Sequence, residues 1–344
     1  MIKKILQEGF LLKNKGYYKH AIEAFYKALE IDSTSLELLY EIAESYYLMG
    51  EEERALSYIE QILEKNPTHI TSLTFLKNIF VTKSAWVEAK KTAENIYKIT
   101  NKEEDFAEIL KLLNKQFAYN EVVKMAPQSN NSAICYELSV ANFYINNLVE
   151  AETNINKALE SDSNNQKYLI LKAKILFKMN RMEESADIIN NIQIDFENAD
   201  LLNFIGLIKQ YECQFKTAIE YFKQAIKLAP QNDEYFYNCA STYFKTGDIT
   251  QAKKYYNLAI SLNPDNPNYH FALANLYYSE KQYKRAMEEL KYDFFEANLL
   301  KSIILYDTGY VALAKKQLES LYSEQPENEL INKYKNLIEE KLKI

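Results

Sequence analysis

Glycine and proline are scarce, with six of each in 344 residues, too few for a turn-rich sandwich or barrel or for a low-complexity linker. Cysteine is scarcer still. Cys135, Cys213 and Cys239 are odd in number and far apart, so they give neither a disulfide framework nor a paired metal site, and a reducing cytoplasm is the expected compartment. Positive charge is not in excess. The formal net charge of −7 argues against a general phosphate-binding surface, which needs Lys and Arg to displace counterions, so no nucleic-acid partner is expected. No stretch approaches the roughly 20 apolar residues of a membrane-spanning helix, so no membrane partner is expected either. The opening "MIKKILQEGFLLKNKG" is interrupted by Gln7, Glu8 and Lys13 and reads as an amphipathic helix rather than a secretory leader.

The usual arrangements for chemistry are missing as well. His20, His69 and His270 stand far apart with no metal-ligand spacing, and no two glycines are closer than seven residues, which excludes a Gly-rich phosphate loop. No cysteine has a neighbouring His, and Cys239, beside Ala240, reads as a small core residue. The expectation is a protein without catalytic residues, cofactor or metal.

What the chain does have is a rhythm. Pro230 and Pro264 are 34 residues apart, as are Ala240 and Ala274, Tyr243 and Tyr277, and Ala218, Ala252 and Ala286. A fixed period of this length marks an array in which each unit is one supersecondary element. Within residues 233–266, Phe236, Cys239, Ala240 and Tyr243 form one helical stripe, Gly247 breaks it, and Ala252, Tyr255, Tyr256 and Ala259 form a second that Pro264 ends. Each unit is thus an antiparallel helix pair, with small residues at the closest contacts and aromatic ones in the wider gaps.

In its order of small, aromatic, Gly, Ala, aromatic, Ala and Pro positions, the chain resembles the tetratricopeptide repeat (TPR) family. The order is carried by Ala43, Tyr46, Gly50, Ala55, Ile59, Ile62 and Pro67, by Gly206, Ala218, Phe222, Ala225 and Pro230, and by Ala240, Tyr243, Gly247, Ala252, Tyr256, Ala259 and Pro264. The resemblance implies an all-α, right-handed superhelical solenoid of about ten helix-turn-helix repeats. Residues 1–103 hold repeats 1–3, and 104–131 a degenerate short pair that is a hinge candidate. Residues 132–328 hold repeats 5–10, and 329–344, with Leu330, Tyr334, Leu337, Ile338 and Leu342 on one stripe, a C-terminal capping helix.

The resemblance also implies where a partner sits, because in this family the first helices of successive repeats line the concave face. Projected onto that wall are Tyr40, Glu44 and Tyr47, then Asn78, Asn203, Tyr237, Asn238, Ser241, Phe244, Asn275, Tyr278 and Tyr306. Tyrosine supplies rigid contact area, and Asn pairs with both groups of a peptide backbone. The expected function is a non-catalytic protein-protein interaction scaffold that binds a peptide or helix in this groove. The alternative is a self-associating homo-oligomer. Glu37, Glu41 and Glu44 make the second repeat's wall acidic, favouring a basic segment there or serving only as a solvated face. The basic residues with which some members clamp a C-terminal carboxylate are absent from the corresponding positions Leu6, Phe10, Glu41, Thr71 and Phe75, and from Asn203, Leu207, Asn238, Asn268 and Ala272.

Overall fold

The computed structural model describes residues 2–127 and 129–342, except the Leu342 side chain, so Gln128 of the polar run at the end of the short repeat and the end of the capping stripe lie outside the described residues. These residues form 21 helices and no strand. The chain divides into two compact units between Arg181 and Met182, the first holding five helix pairs and a single helix, the second a single helix, four helix pairs and a last single helix.

The first unit contains α1 (Ile2–Asn14) with α2 (Tyr18–Ile31), α3 (Leu36–Leu48) with α4 (Glu52–Lys65), and α5 (Ile70–Thr82) with α6 (Trp86–Thr100). It continues with α7 (Glu103–Lys115) and the short α8 (Tyr119–Met125), then α9 (Ser132–Tyr144) with α10 (Leu148–Ser161), and α11 (Gln166–Lys178). The short fourth pair is packed on both sides, α7 against α6 and α9, and α8 against α9. The second unit contains α12 (Met182–Asn191), α13 (Ala199–Tyr211) with α14 (Phe215–Leu228), and α15 (Asp233–Lys245) with α16 (Ile249–Leu262). Then follow α17 (Pro267–Ser279) with α18 (Tyr283–Glu289), α19 (Phe295–Asp307) with α20 (Val311–Glu324), and α21 (Glu329–Leu342).

Two local devices set this alternation. The first helices begin on side-chain caps: Ser35, His69, Asn131, Asn165, Asn198, Asn232 and Asn266 each accept a hydrogen bond from a backbone amide of the first turn, satisfying donors that have no partner inside a helix. Each of the ten first helices, α1, α3 and so on to α19, is then followed by a turn on one residue with positive φ. Only four of these residues are glycine, Gly16, Gly50, Gly247 and Gly309; the other six are Ser84, Phe117, Asn146, Asn180, Cys213 and Lys281. At Gly247 the turn is closed by Gly247 N–H donating to Phe244 O at 3.0 Å and Asp248 N–H donating to Tyr243 O at 3.0 Å, which satisfies carbonyls left over at the helix end.

The core follows the sequence pattern closely. Ala21, Phe25 and Ala28, Ala55, Ile59 and Ile62, Ala218, Phe222 and Ala225, and Ala252 and Ala259 are wholly buried. Gly9 and Gly206 serve packing rather than turning. A Cβ on either would lie 2.6 Å from a ring carbon of Phe25 or Phe222 respectively, so hydrogen alone fits where the two helices of the pair cross.

Candidate functional site

In the first unit, α3 and α5 stand side by side and leave a cleft of about 480 Å³ between them. Tyr40, Glu44, Tyr47 and Asn78 all line it, together with Leu48, Ile70, Thr71, Thr74, Phe75 and Ile79. The structure therefore brings the four candidates of this unit into one place. They share it because helical positions four and three apart lie on one face. Phe75 forms the floor, edge-on to Tyr40 at 5.9 Å and to Tyr47 at 5.3 Å. Burial, with Glu44 and Glu41 nearby, pushes the Tyr40 phenol up to about 12, so it remains a neutral donor across the physiological range.

The acidity of this wall is already answered from within. Lys13, at the end of α1, lies 2.5 Å from the Glu41 carboxylate and also pairs with Glu44. Burial disfavours the Lys13 charge, but the two carboxylates outweigh it and raise its pKa above the ordinary value. An incoming cation would have to displace Lys13, so the cleft presents aromatic and amide surface more than charge.

The second unit distributes its candidates differently. Asn203 and Asn238 are buried, and Asn238 Nδ2 donates to Asn203 Oδ1 at 3.0 Å, tying α15 to α13. Tyr237 is stacked on Tyr269 at 5.0 Å, and Asn275 donates to the Phe271 carbonyl of its own helix at 3.1 Å. Ser241 and Phe244 are half-buried on α15. Tyr278 donates to Asp307 at 2.8 Å, while Tyr306 lies edge-on to Tyr334 of α21 at 5.5 Å. Polar contacts recur at nearly the repeat period: Tyr235 donates to Asp200 at 2.5 Å and Tyr269 to Asp233 at 2.8 Å. Most side chains on this wall thus already have a partner in a neighbouring helix.

Comparison with known proteins identifies the architecture. The tetratricopeptide repeat profile matches residues 15–73, 212–270 and 247–291. A TPR repeat-containing protein of Methanocaldococcus jannaschii is 25% identical over 247 residues, covering 69% of this chain and 34% of the relative. The Cut9–Hcn1 hetero-tetramer of the APC/C superposes over 98% of this chain and 76% of the matched chain, with a TM-score of 0.58 at 13% identity. The chain carries tetratricopeptide repeats, matched at residues 15–73 and 212–291. Among other relatives of this TPR protein, the Homo sapiens DnaJ homolog subfamily C member 7 is 31% identical over 86 residues, 25% of this chain and 17% of that protein. The TPR chain thus spans about a third or less of the length of these curated relatives. Pseudomonas aeruginosa pilF superposes over 64% of the TPR chain and 99% of its own, with a TM-score of 0.50 at 18% identity.

Three residues of types that carry reactive chemistry elsewhere, His69, His270 and Cys239, have structural posts in this TPR array. His69 is half-buried and caps α5, its Nδ1 2.9 Å from Ser72 Oγ. His270 is buried between the Glu289 carboxylate at 2.6 Å and the Pro264 carbonyl at 2.9 Å. Cys239 is wholly buried as expected, and burial pushes its thiol up to about 12. Among the described residues no group of three or more His, Cys, Asp or Glu side chains converges as a metal site, and no helix is long and apolar enough to cross a membrane.

Proposed function

We propose that this TPR protein is a non-catalytic scaffold that binds a peptide or helix of a partner protein along its first helices. The α3–α5 cleft is the principal contact. The observation that carries this reading is the convergence of Tyr40, Tyr47 and Asn78 on one open cleft, floored by Phe75 and bordered by a carboxylate that Lys13 already neutralises. Large aromatic faces beside an exposed amide suit a segment that offers an apolar side chain and a peptide bond together.

In the second unit, Tyr237, Ser241, Phe244, Asn275, Tyr278 and Tyr306 act as a supporting surface, while Asn203 and Asn238 hold the scaffold itself. Selection of a random peptide library on the wild-type protein tests the proposal. The selected peptides should bind a Tyr40→Ala, Tyr47→Ala variant about tenfold more weakly or worse, the loss expected of a central aromatic contact. Equal binding to a folded variant refutes the cleft.

A further inference from the structure

Further along the first unit, α5, α7, α9 and α11 bring together a set of charges that do not match one another. Glu108 on α7 serves two cations, Lys77 at 3.3 Å and Lys111 at 3.0 Å. The other carboxylate, Glu137 on α9, is only 6% exposed. Its Oε2 accepts from Asn114 Nδ2 at 2.8 Å, but its Oε1 has Lys167 of α11 no closer than 3.9 Å. Lys167 instead lies over the ring of Tyr136 at 4.0 Å, and Tyr136 is stacked on Tyr168 at 5.0 Å. Lys115 at the end of α7 stands within electrostatic range of Lys167.

Cations therefore outnumber anions on this patch, and the partners it contains are poorly matched. Burial raises the Glu137 pKa. Burial also lowers that of Lys167, with Lys111 and Lys115 adding to the effect against the pull of Glu137. Each member of the long pair is thus pushed toward losing its charge, the opposite of what a good ion pair does. Asn114, 9% exposed, leaves its buried Oδ1 without a hydrogen-bond partner, a deficit that folded proteins normally avoid.

We infer that the α7–α9–α11 face is a receptor for an acidic peptide segment, whose carboxylates pair with Lys111, Lys115 and Lys167 while one of its backbone N–H groups supplies the donor that Asn114 Oδ1 lacks. The inference rests on the reading of the first helices as a peptide-binding wall and extends it from the aromatic cleft, since Lys77 adjoins Asn78 on α5 and reaches Glu108 on α7. A nucleic acid fits less well. Phosphates would face Glu108 and Glu137 among the lysines, and Tyr136, already held between Tyr168 and Lys167, offers no free face for a base.

The test is fluorescence anisotropy on the full chain with a short fluorescein-labelled peptide of alternating Glu and Tyr, and its matched Gln–Tyr form. Wild type should prefer the Glu form. A Lys111→Gln, Lys115→Gln, Lys167→Gln variant should lose that preference, by about tenfold for three exposed pairs. A Lys19→Gln, Lys27→Gln, Lys65→Gln control, which removes equal charge from α2 and α4, should keep it.

No binding of the Glu peptide, no preference in wild type, an equal loss in the control, or displacement by a single-stranded oligouridylate at equal concentration would each overturn the inference. Tyr40→Ala with Tyr47→Ala should weaken the Glu and Gln peptides alike. If it weakens neither while the lysine variant abolishes the preference, the aromatic cleft fails and the acidic-peptide receptor stands.

Discussion

Replacing Gly206 with Ala sets two known effects against each other at one site. Alanine is the better helix former, by about 1 kcal/mol. The new methyl, however, would lie 2.6, 2.8 and 2.9 Å from three ring carbons of Phe222, itself wholly buried between Ala218 and Ala225. A rigid ring in a filled core cannot retreat by the needed ångström without moving α14, and overpacking of this kind costs about 1–3 kcal/mol. The balance is a net destabilisation of about 1 kcal/mol. A Phe222→Leu background, which removes the ring, should erase it and leave Gly206→Ala neutral or stabilising.

The assay is urea denaturation of the four proteins of this double-mutant cycle, followed by amide exchange in α13 and α14, because an array of repeats need not unfold in one step. Gly247→Ala provides the contrast. Its φ is +79° with nothing within 4 Å of a new Cβ, so its penalty is backbone strain and no change at a neighbour should relieve it. A Gly206→Ala protein at least as stable as wild type in the Phe222 background would refute the packing argument.

Other outcomes follow from the same structure. Lys281→Gly, at a turn with φ +57°, should raise stability by about 1 kcal/mol as the left-handed strain is relieved, read from the denaturation midpoint. Asn238→Ala should destabilise by about 1–3 kcal/mol, because Asn203 Oδ1 is left buried without its donor; no change in melting would show that the pair is dispensable. The raised pKa of Glu137 makes the fold hold its proton more tightly than the unfolded chain does, so this residue's contribution falls as pH rises through the carboxylate range. Glu137→Gln should remove that decline, and a pH–stability profile parallel to wild type would contradict it. The hinge proposed for residues 104–131 narrows to α8, since α7 buries Leu110, Leu112 and Leu113 almost completely; α8 amides should exchange faster than those of α7 and α9, and equal protection would refute it.

The helix pairs were legible in the sequence because their signal is steric. Alanine at 21, 55, 218 and 252 is required wherever two helices touch, and the period repeats that requirement down the chain. The wall was legible only in part. Tyr40, Tyr47 and Asn78 line one cleft, whereas Asn203 and Asn238 turn into the seam between α13 and α15. A shift of about one residue around a helix separates wall from seam, and periodicity does not resolve it. The acidic face of α3 misled for another reason, since its counter-ion Lys13 comes from the preceding repeat. The lysines of α7 escaped notice because they lie in the degenerate repeat of residues 104–131. Nor does any residue type announce the turns, six of which hold a side chain where glycine would be easier.

The distribution of caps has a consequence for where this chain tolerates being cut. First helices from α3 onward largely carry their own start signal, an Asn, Ser or His that accepts from the first turn. Most second helices have none; α4, α6, α10, α14 and α20 begin without a side-chain cap. They depend on the turn before them to set the first amides in place. A fragment beginning just before Asn198 or Asn232 therefore keeps the helix start of its leading pair, whereas one beginning at Gln214 leaves α14 frayed. Nicking or circular permutation between repeats should accordingly be survivable at sites where the same cut within a repeat is not.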